Sequence, residues 1–334
     1  MKLSQLAPMF LLAAVAVLSG CGSNAAEPAK PAGDKPATDA GQSGKKLVVG
    51  FSQIGAESAW RTANTNSIKA EAEKRGIELK FSDAQQKQEN QIKAIRSFID
   101  QKVDVIAFAP VVETGWEPVL TEAKKAGIPV FVSDRRPQVP DDLYVTFLGA
   151  DFIKEGQMAA EWLIKKTGGK AVIAELEGTT GSAPANDRKK GFAEAIAKYP
   201  DMKVVFSQTG DFKRANGKEV TEALLKSPVG NTINVIYAHN DDMALGAIQA
   251  IEAVGKKPGK DILVISIDGI KDAFVAMTEG KLNCTTECNP LLGPLLFDSI
   301  EKFKKGEKLE KRQIVPDGQF DETTAAKELP NRKY

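Results

Sequence analysis

The sequence predicts an α/β protein of two similar doubly wound parallel-sheet lobes with a cleft between them. Short apolar, β-branched runs alternate with longer helical patterns along the chain. The runs are apolar throughout rather than on every second residue, which suits strands covered by helices on both faces. The pattern occurs twice, from about Lys46 to Ala150 and again from Asp151 to about Asn283.

Taken in order, the strand segments include KLVVGFS, VDVIAFAP and IPVFVSD in the first repeat, then KAVIAEL, KVVFSQ, INVIYAHN and ILVISID in the second. Among the segments between them, RTANTNSIKAEAEKRG, QENQIKAIRSFIDQK, WEPVLTEAKKAG, DRKKGFAEAIAKYP and DDMALGAIQAIEAVG read as helices, and several stop at Gly or Pro. The tail adds the helix-like LLGPLLFDSIEKFKKGE and then KRQIVPDGQF, too short for a third domain and expected to complete the first lobe and then the second. The boundaries expected are 47–149 with about 284–310 for lobe one, and 150–283 with about 311–334 for lobe two.

The length of 334 residues fits two domains of ordinary size. With 45 Lys plus Arg against 44 Asp plus Glu, the chain lacks the basic footprint of a nucleic-acid binder, and no nucleic-acid partner is expected. One histidine, His239, and three cysteines cannot build a multi-ligand His/Cys zinc site, and any Ser-His-Asp or Cys-His pair would have to use His239. No metal, cofactor or catalytic residue is therefore expected.

Residues 1–20 read as a signal peptide. Lys2 precedes an apolar stretch, Ala7 to Leu18, too short to span a bilayer. It ends in Leu18-Ser19-Gly20-Cys21, a lipobox-like pattern in which small residues admit the signal peptidase and the Cys21 thiol takes a lipid. The following stretch to Lys46 has no large apolar side chain to offset the entropy of ordering it, so 21–46 reads as a lipidated cysteine and tether. The body is thus expected outside the cytoplasm, periplasmic or at the cell surface, held to a membrane by lipid. Cys284 and Cys288 would lie about 13 Å apart on a continuous strand, too far for a disulfide unless the chain turns.

In open α/β sheets ligands bind beyond the carboxyl ends of the strands, and there the candidate residues fall. The first strand runs into Glu57, Trp60 and Arg61 at a helix start. Trp60 either offers a face to the C–H side of a sugar ring or anchors the core. IPVFVSDRRP delivers Asp134 and Arg135, which reach one ligand only if the strand breaks there, as Pro137 encourages; Arg136 fits a surface ion pair better. In the second repeat Asn186 and Asp187 read as helix caps, Arg188 as free for ligand and Phe212 as a second stacking face or a core residue. INVIYAHNDDM ends in Asn240, whose amide both donates and accepts, with Asp241 or Asp242 as the cap, and ILVISIDG delivers Asp268. Alternating carboxylates and guanidiniums around apolar faces suit a neutral polyhydroxylated ligand. No GxGxxG or GxxxxGK[ST] loop follows any candidate strand, so nucleotide binding is unsupported.

At GFSQIGAESAWR, QQKQENQIKAIRSF, APVVETGWEPVL, DRKKGFAEAI, YAHNDDM and KPGKDIL followed by SIDG, the chain resembles the periplasmic sugar-binding proteins of ABC importers, the ribose and galactose type, and within them the galactofuranose binders. The resemblance implies the type I periplasmic binding protein fold and a monomer that closes on one monosaccharide and delivers it to a membrane permease and its ATPase. By position it implies ligand contacts at Glu57, Arg61, Asp134, Arg135, Arg188, Asn240 and Asp268. Ribose binders of this group place consecutive phenylalanines where this chain has Ala59, Trp60 and Arg61, which favours a furanose with a longer polar arm. A polar contact is also implied in the last crossover, which reads NCTTECNP; Glu287 and Asn289 are the candidates, with Asn289 the expected contact. Two other classes stand beside this reading. A LacI-type sugar-sensing regulator would need a DNA-reading helix-turn-helix where the signal and spacer lie. A secreted carbohydrate-active enzyme would draw its carboxylate pair from Glu57, Asp134 and Asp268.

Overall fold

The computed structural model describes residues 46–334; the signal segment, Cys21 and the spacer up to Lys45 lie outside the described residues. The first repeat forms β1 (Val48–Gln53), α1 (Ala59–Lys74), β2 (Glu78–Asp83), α2 (Gln88–Asp100), β3 (Val105–Phe108), α3 (Glu117–Lys125), β4 (Val130–Ser133) and β5 (Phe147–Gly149). The second forms α4 (Phe152–Thr167), β6 (Ala171–Glu177), α5 (Ala183–Ile196), β7 (Met202–Thr209), α6 (Arg214–Lys226), β8 (Val235–Ala238), α7 (Asp241–Ala253), β9 (Leu263–Asp268), α8 (Lys271–Thr278) and β10 (Cys284–Glu287). The tail supplies α9 (Gly293–Lys304), β11 (Arg312–Ile314), β12 (Gln319–Asp321) and α10 (Ala325–Glu328).

Among the described residues the strands make two six-stranded sheets, ordered β11-β5-β4-β3-β1-β2 and β12-β10-β9-β8-β6-β7. The two orders are the same doubly wound topology used twice, and the antiparallel β10–β12 pair is the exception to parallel pairing. Strand parity explains the all-apolar runs. Ile106, Phe108, Val130 and Val132 pack to one face with α2 and α3, while Val105, Ala107 and Phe131 pack to the other with Ile68 of α1 and Phe297 of α9. No helix among the described residues is long and apolar enough to cross a membrane.

Three crossovers join the lobes: Ala150–Asp151 between β5 and α4, Cys288–Leu292 between β10 and α9, and Val315–Gly318 between β11 and β12. Their positions correct the expected boundaries. Cys284–Glu287, expected in lobe one, is a strand of the second sheet, and Arg312–Ile314, expected in lobe two, pairs with β5 in the first. The tail's order, α9 and β11 in lobe one and then β12 in lobe two, matches the expected return path. Cys284 and Cys288 are buried free thiols.

Candidate functional site

The carboxyl ends of the two sheets meet around a small cavity lined by Glu57, Ser58, Trp60, Arg61, Asp134, Arg135, Pro184, Arg188, Phe212, Asn240, Asp268 and Cys288. A wider open groove, lined in part by Lys102, Ile128, Tyr144 and Phe303, lies at the opposite, amino-terminal ends of β3 and β4. It holds none of these residues, and the carboxyl-end rule points to the smaller cavity.

Lobe one contributes a chain of buried charges. Ser58 caps α1, which turns Arg61 inward; its Nε donates to Glu57 Oε1 at 3.0 Å and its Nη2 to Asp134 Oδ2 at 2.6 Å. Asp134 has φ +63°, so the strand does break there, and Asp134 and Arg135 turn to the same cavity. Arg135 Nη1 donates to the Val111 carbonyl at 3.0 Å, and its Nη2 lies 3.6 Å from Glu57 Oε1. Burial, with repulsion from Arg61, lowers the Arg135 guanidinium to about 10. Burial pushes the Glu57 carboxyl up, but Arg61 and Arg135 outweigh it and hold it below its ordinary value.

Lobe two answers from the facing strand ends. Arg188 donates from Nε to Glu155 Oε2 at 2.7 Å and from Nη1 to the His239 carbonyl at 2.6 Å, and its Nη2 lies 3.7 Å from Asp268 Oδ1. Burial holds the Asp268 carboxyl well above its usual range against the pull of Arg188. Asp268 at φ +130° and Phe212 at φ +59° join Asp134 in backbone conformations that L residues rarely adopt. Such strain, on the order of 1–3 kcal/mol each, gathers at ligand clamps and active sites.

Trp60 does both of the things that were open for it. It packs with the buried cluster of the second lobe, donates from Nε1 to the Cys288 carbonyl at 2.5 Å and presents a face to the cavity. Phe212 likewise is core and wall, its ring 5.1 Å from the Arg135 guanidinium. Glu57 Oε2, Arg61 Nη1 and Arg135 Nε are buried polar atoms without a hydrogen-bond partner among the described residues. A cavity whose walls keep donors and acceptors unspent suits a ligand dense in hydroxyl groups.

Nine of the ten expected contact residues line this cavity; Asn289 does not. Its Oδ1 accepts from the Leu291 N–H at 2.9 Å in the crossover, and the neighbouring Cys288 takes the wall. Glu287 is engaged by Arg332 and Tyr334. The expected caps also move. Ser182 caps α5, so Asn186 and Asp187 lie inside the helix and bond across the cleft, Asn186 to Glu113 at 2.7 Å and Asp187 to Arg136 at 3.2 Å. Arg136 is therefore an inter-lobe group rather than a lone surface charge. Asn240 itself caps α7, accepting from the Met243 N–H at 3.0 Å and donating to the Phe212 carbonyl at 3.1 Å. Glu155 was missed, since an acid in a first helical turn is already accounted for by the helix dipole.

Twin doubly wound sheets, three crossovers and a charged cavity between them define a two-lobed solute-binding protein. The periplasmic binding protein domain model matches residues 49–291, and the chain belongs to that family, as a sugar-binding protein of the ABC-importer type. It is 54% identical over 291 residues to the galactofuranose-binding protein YtfQ of Escherichia coli (strain K12), covering 86% of this chain and 92% of that one. Among solved structures, the binding component of the arabinose ABC transporter from Shewanella sp. ANA-3, bound to α- and β-L-arabinofuranose, matches with TM-score 0.84 and 53% identity over 86% of this chain and 96% of that one. A Mycobacterium smegmatis protein in complex with β-D-fucofuranose matches with TM-score 0.83 and 55% identity, covering 86% and 95%.

Proposed function

We propose that the protein captures one furanose-form monosaccharide, galactofuranose or a close relative, outside the cytoplasm and hands it to an ABC permease and its ATPase. The observation that carries the reading is the cavity itself: three arginines and three carboxylates with unspent hydrogen-bonding atoms, walled by Trp60 and Phe212. The relatives named for galactofuranose, arabinofuranose and fucofuranose support the ring form. Glu57, Arg61, Asp134, Arg135, Arg188, Asn240 and Asp268 take the hydroxyls, and the two aromatic faces take the C–H surfaces. Each charge-assisted hydrogen bond contributes roughly 1.5–3 kcal/mol, so a few of them with two stacking faces reach the roughly −8 kcal/mol of micromolar binding after ordering costs.

Lobe closure about the three crossovers buries the sugar and assembles the rim that a permease reads, with no bond made or broken. The protein works as a monomer, tethered through lipid on Cys21 by the Leu18-Ser19-Gly20-Cys21 pattern and the spacer that follows it. A thermal-shift screen over galactofuranose, galactopyranose, arabinose, ribose and glucose tests the reading. Galactofuranose or arabinose raising Tm most supports it; no shift with any sugar overturns binding, and preference for a pyranose overturns the ring form. Metabolic labelling with a radioactive fatty acid, compared between the wild type and Cys21→Ser, tests the anchor.

A further inference from the structure

We propose that Glu155 is a positioning residue of this site: it fixes which edge of the Arg188 guanidinium faces the sugar and so tunes the cavity toward neutral ligands. The inference rests on the sugar-binding reading above. Glu155 does not line the cavity. It is wholly buried in the first turn of α4, immediately beyond the first crossover, and reaches Arg188 from behind.

The geometry divides the guanidinium. Glu155 Oε2 takes Nε at 2.7 Å and the His239 carbonyl takes Nη1 at 2.6 Å, which leaves Nη2 as the nitrogen turned to Asp268 and the cavity. An unengaged guanidinium presents a two-nitrogen fork matched to a carboxylate or phosphate. Here each two-nitrogen edge already has one nitrogen held within the lobe, and a single-point donor, suited to a hydroxyl, remains. Charge acts the same way. Glu155 stands behind Arg188 in a direct ion pair at 2.7 Å, so this guanidinium's charge is already engaged within the lobe before any ligand arrives.

The fold is built to allow this approach. A Cβ at Gly156 would lie 2.2 Å from the Arg188 carbonyl oxygen, and one at Gly191 would lie 2.1 Å from the Ile153 carbonyl oxygen. Glycine at both positions lets α4 and α5 pack backbone to backbone, which brings Glu155 within reach of Arg188. Phe152, three residues before Glu155 on α4, places its ring 5.2 Å from the guanidinium carbon. Arg188 is the cation that holds the Glu155 carboxylate, through the 2.7 Å bond to Oε2, and the Cys288 thiol is its other side-chain neighbour, so the Arg188 background isolates that pairing.

The test is titration calorimetry of the mature chain with L-arabinose as the neutral sugar and D-galacturonate as the anionic one. Binding of arabinose by the wild type tests the sugar-binding reading by itself; the variants test this inference. Glu155→Ala should weaken arabinose binding about tenfold, while Glu155→Gln, which keeps an acceptor for Nε and removes the charge, should stay within about threefold. Both should raise galacturonate affinity relative to arabinose by about tenfold, a change that simple loosening of the lobe would not produce. In an Arg188→Ala background, Glu155→Gln should have no further effect on arabinose. An unchanged galacturonate-to-arabinose ratio in Glu155→Gln, or a further loss in the Arg188→Ala background, overturns the proposal even if Glu155→Ala fails to fold.

Discussion

Asp242 of the second lobe accepts a hydrogen bond from the backbone N–H of Ala59 in the first, Oδ2 to N at 2.7 Å. The carboxylate sits at the amino end of α7 and against the amino end of α1, so two helix dipoles favour its charge. Ala59 immediately precedes Trp60 and Arg61, which makes this bond a clasp on the site as well as between the lobes. Arg214 holds the other oxygen at 2.8 Å from its own lobe. Asp242→Ala should shift the population toward an open form, with a larger radius of gyration by X-ray scattering and a sugar affinity lower by about tenfold. Arg214→Ala, which leaves the clasp in place, should change both much less. Wild-type scattering and affinity in Asp242→Ala would remove the clasp from the account.

Arg61→Ala should lower sugar affinity by about two orders of magnitude, because it removes a donor to ligand and also leaves Glu57 and Asp134 with only the longer 3.6 and 3.9 Å approaches of Arg135 to balance them. Asp268→Ala should weaken binding by about tenfold while leaving the fold in place, since among the described residues its side chain is tied to the protein through the 3.7 Å approach to Arg188. Calorimetry with circular dichroism separates the two effects. Unchanged affinity in both variants would mean that the ligand lies elsewhere.

The strands visible in the sequence were those with continuous Val and Ile runs, because burial on both faces leaves a mark that polar strands lack. β10 reads Cys-Thr-Thr-Glu and resembles a loop, yet Thr285 and Thr286 are fully buried, with hydrogen bonds to Asp241 and Gln319 standing in for apolar packing. β11, Arg-Gln-Ile, is a short edge strand whose pairing with β5 has no hydrophobic signature. At the site, the strand-end rule found the charged residues because the topology places them. The misread caps had a visible rival in Ser182 followed by Pro184, a stronger helix start than Asn186 or Asp187. Choosing Cys288 over Asn289 required the register, since neighbouring residues on an extended chain point to opposite sides.

Asp317 lies in the third crossover, where burial and the nearby Glu155 push its carboxyl up to about 8 against the pull of Arg188. Glu287 adds to the upward push, and a hydrogen bond from the Asn289 N–H opposes it. Between about pH 4 and pH 8 the folded chain therefore holds a proton that the unfolded chain has released. The stability this gives is fully present below about pH 4 and is lost as pH rises through 8. Buried Asp241, raised to about 7, acts in the same direction. Asp317→Asn keeps the neutral form at every pH, so its Tm at pH 8 should exceed the wild type's by about 3 °C, with little difference at pH 4. Parallel Tm–pH curves for the two proteins would contradict the assignment.

Gly178, immediately after β6, abuts the tip of the Phe212 ring, and a Cβ there would fall 1.9 Å from Phe212 Cζ. The ring is also packed by the Arg135 and Arg188 guanidiniums, 5.1 and 5.9 Å from its centroid. Gly178→Ala therefore has to displace the aromatic wall of the cavity. The backbone at this position is open to any residue, so the lobe itself should survive the change. Sugar affinity should fall by about tenfold or more with a Tm loss of only a few degrees, roughly the cost of one repacked side chain. If the effect runs through the ring, Gly178→Ala in a Phe212→Ala background should be close to neutral for binding. A full additional loss in the double variant would show that Gly178 serves the site by another route, such as its N–H bond to His239 Nδ1 at 3.3 Å.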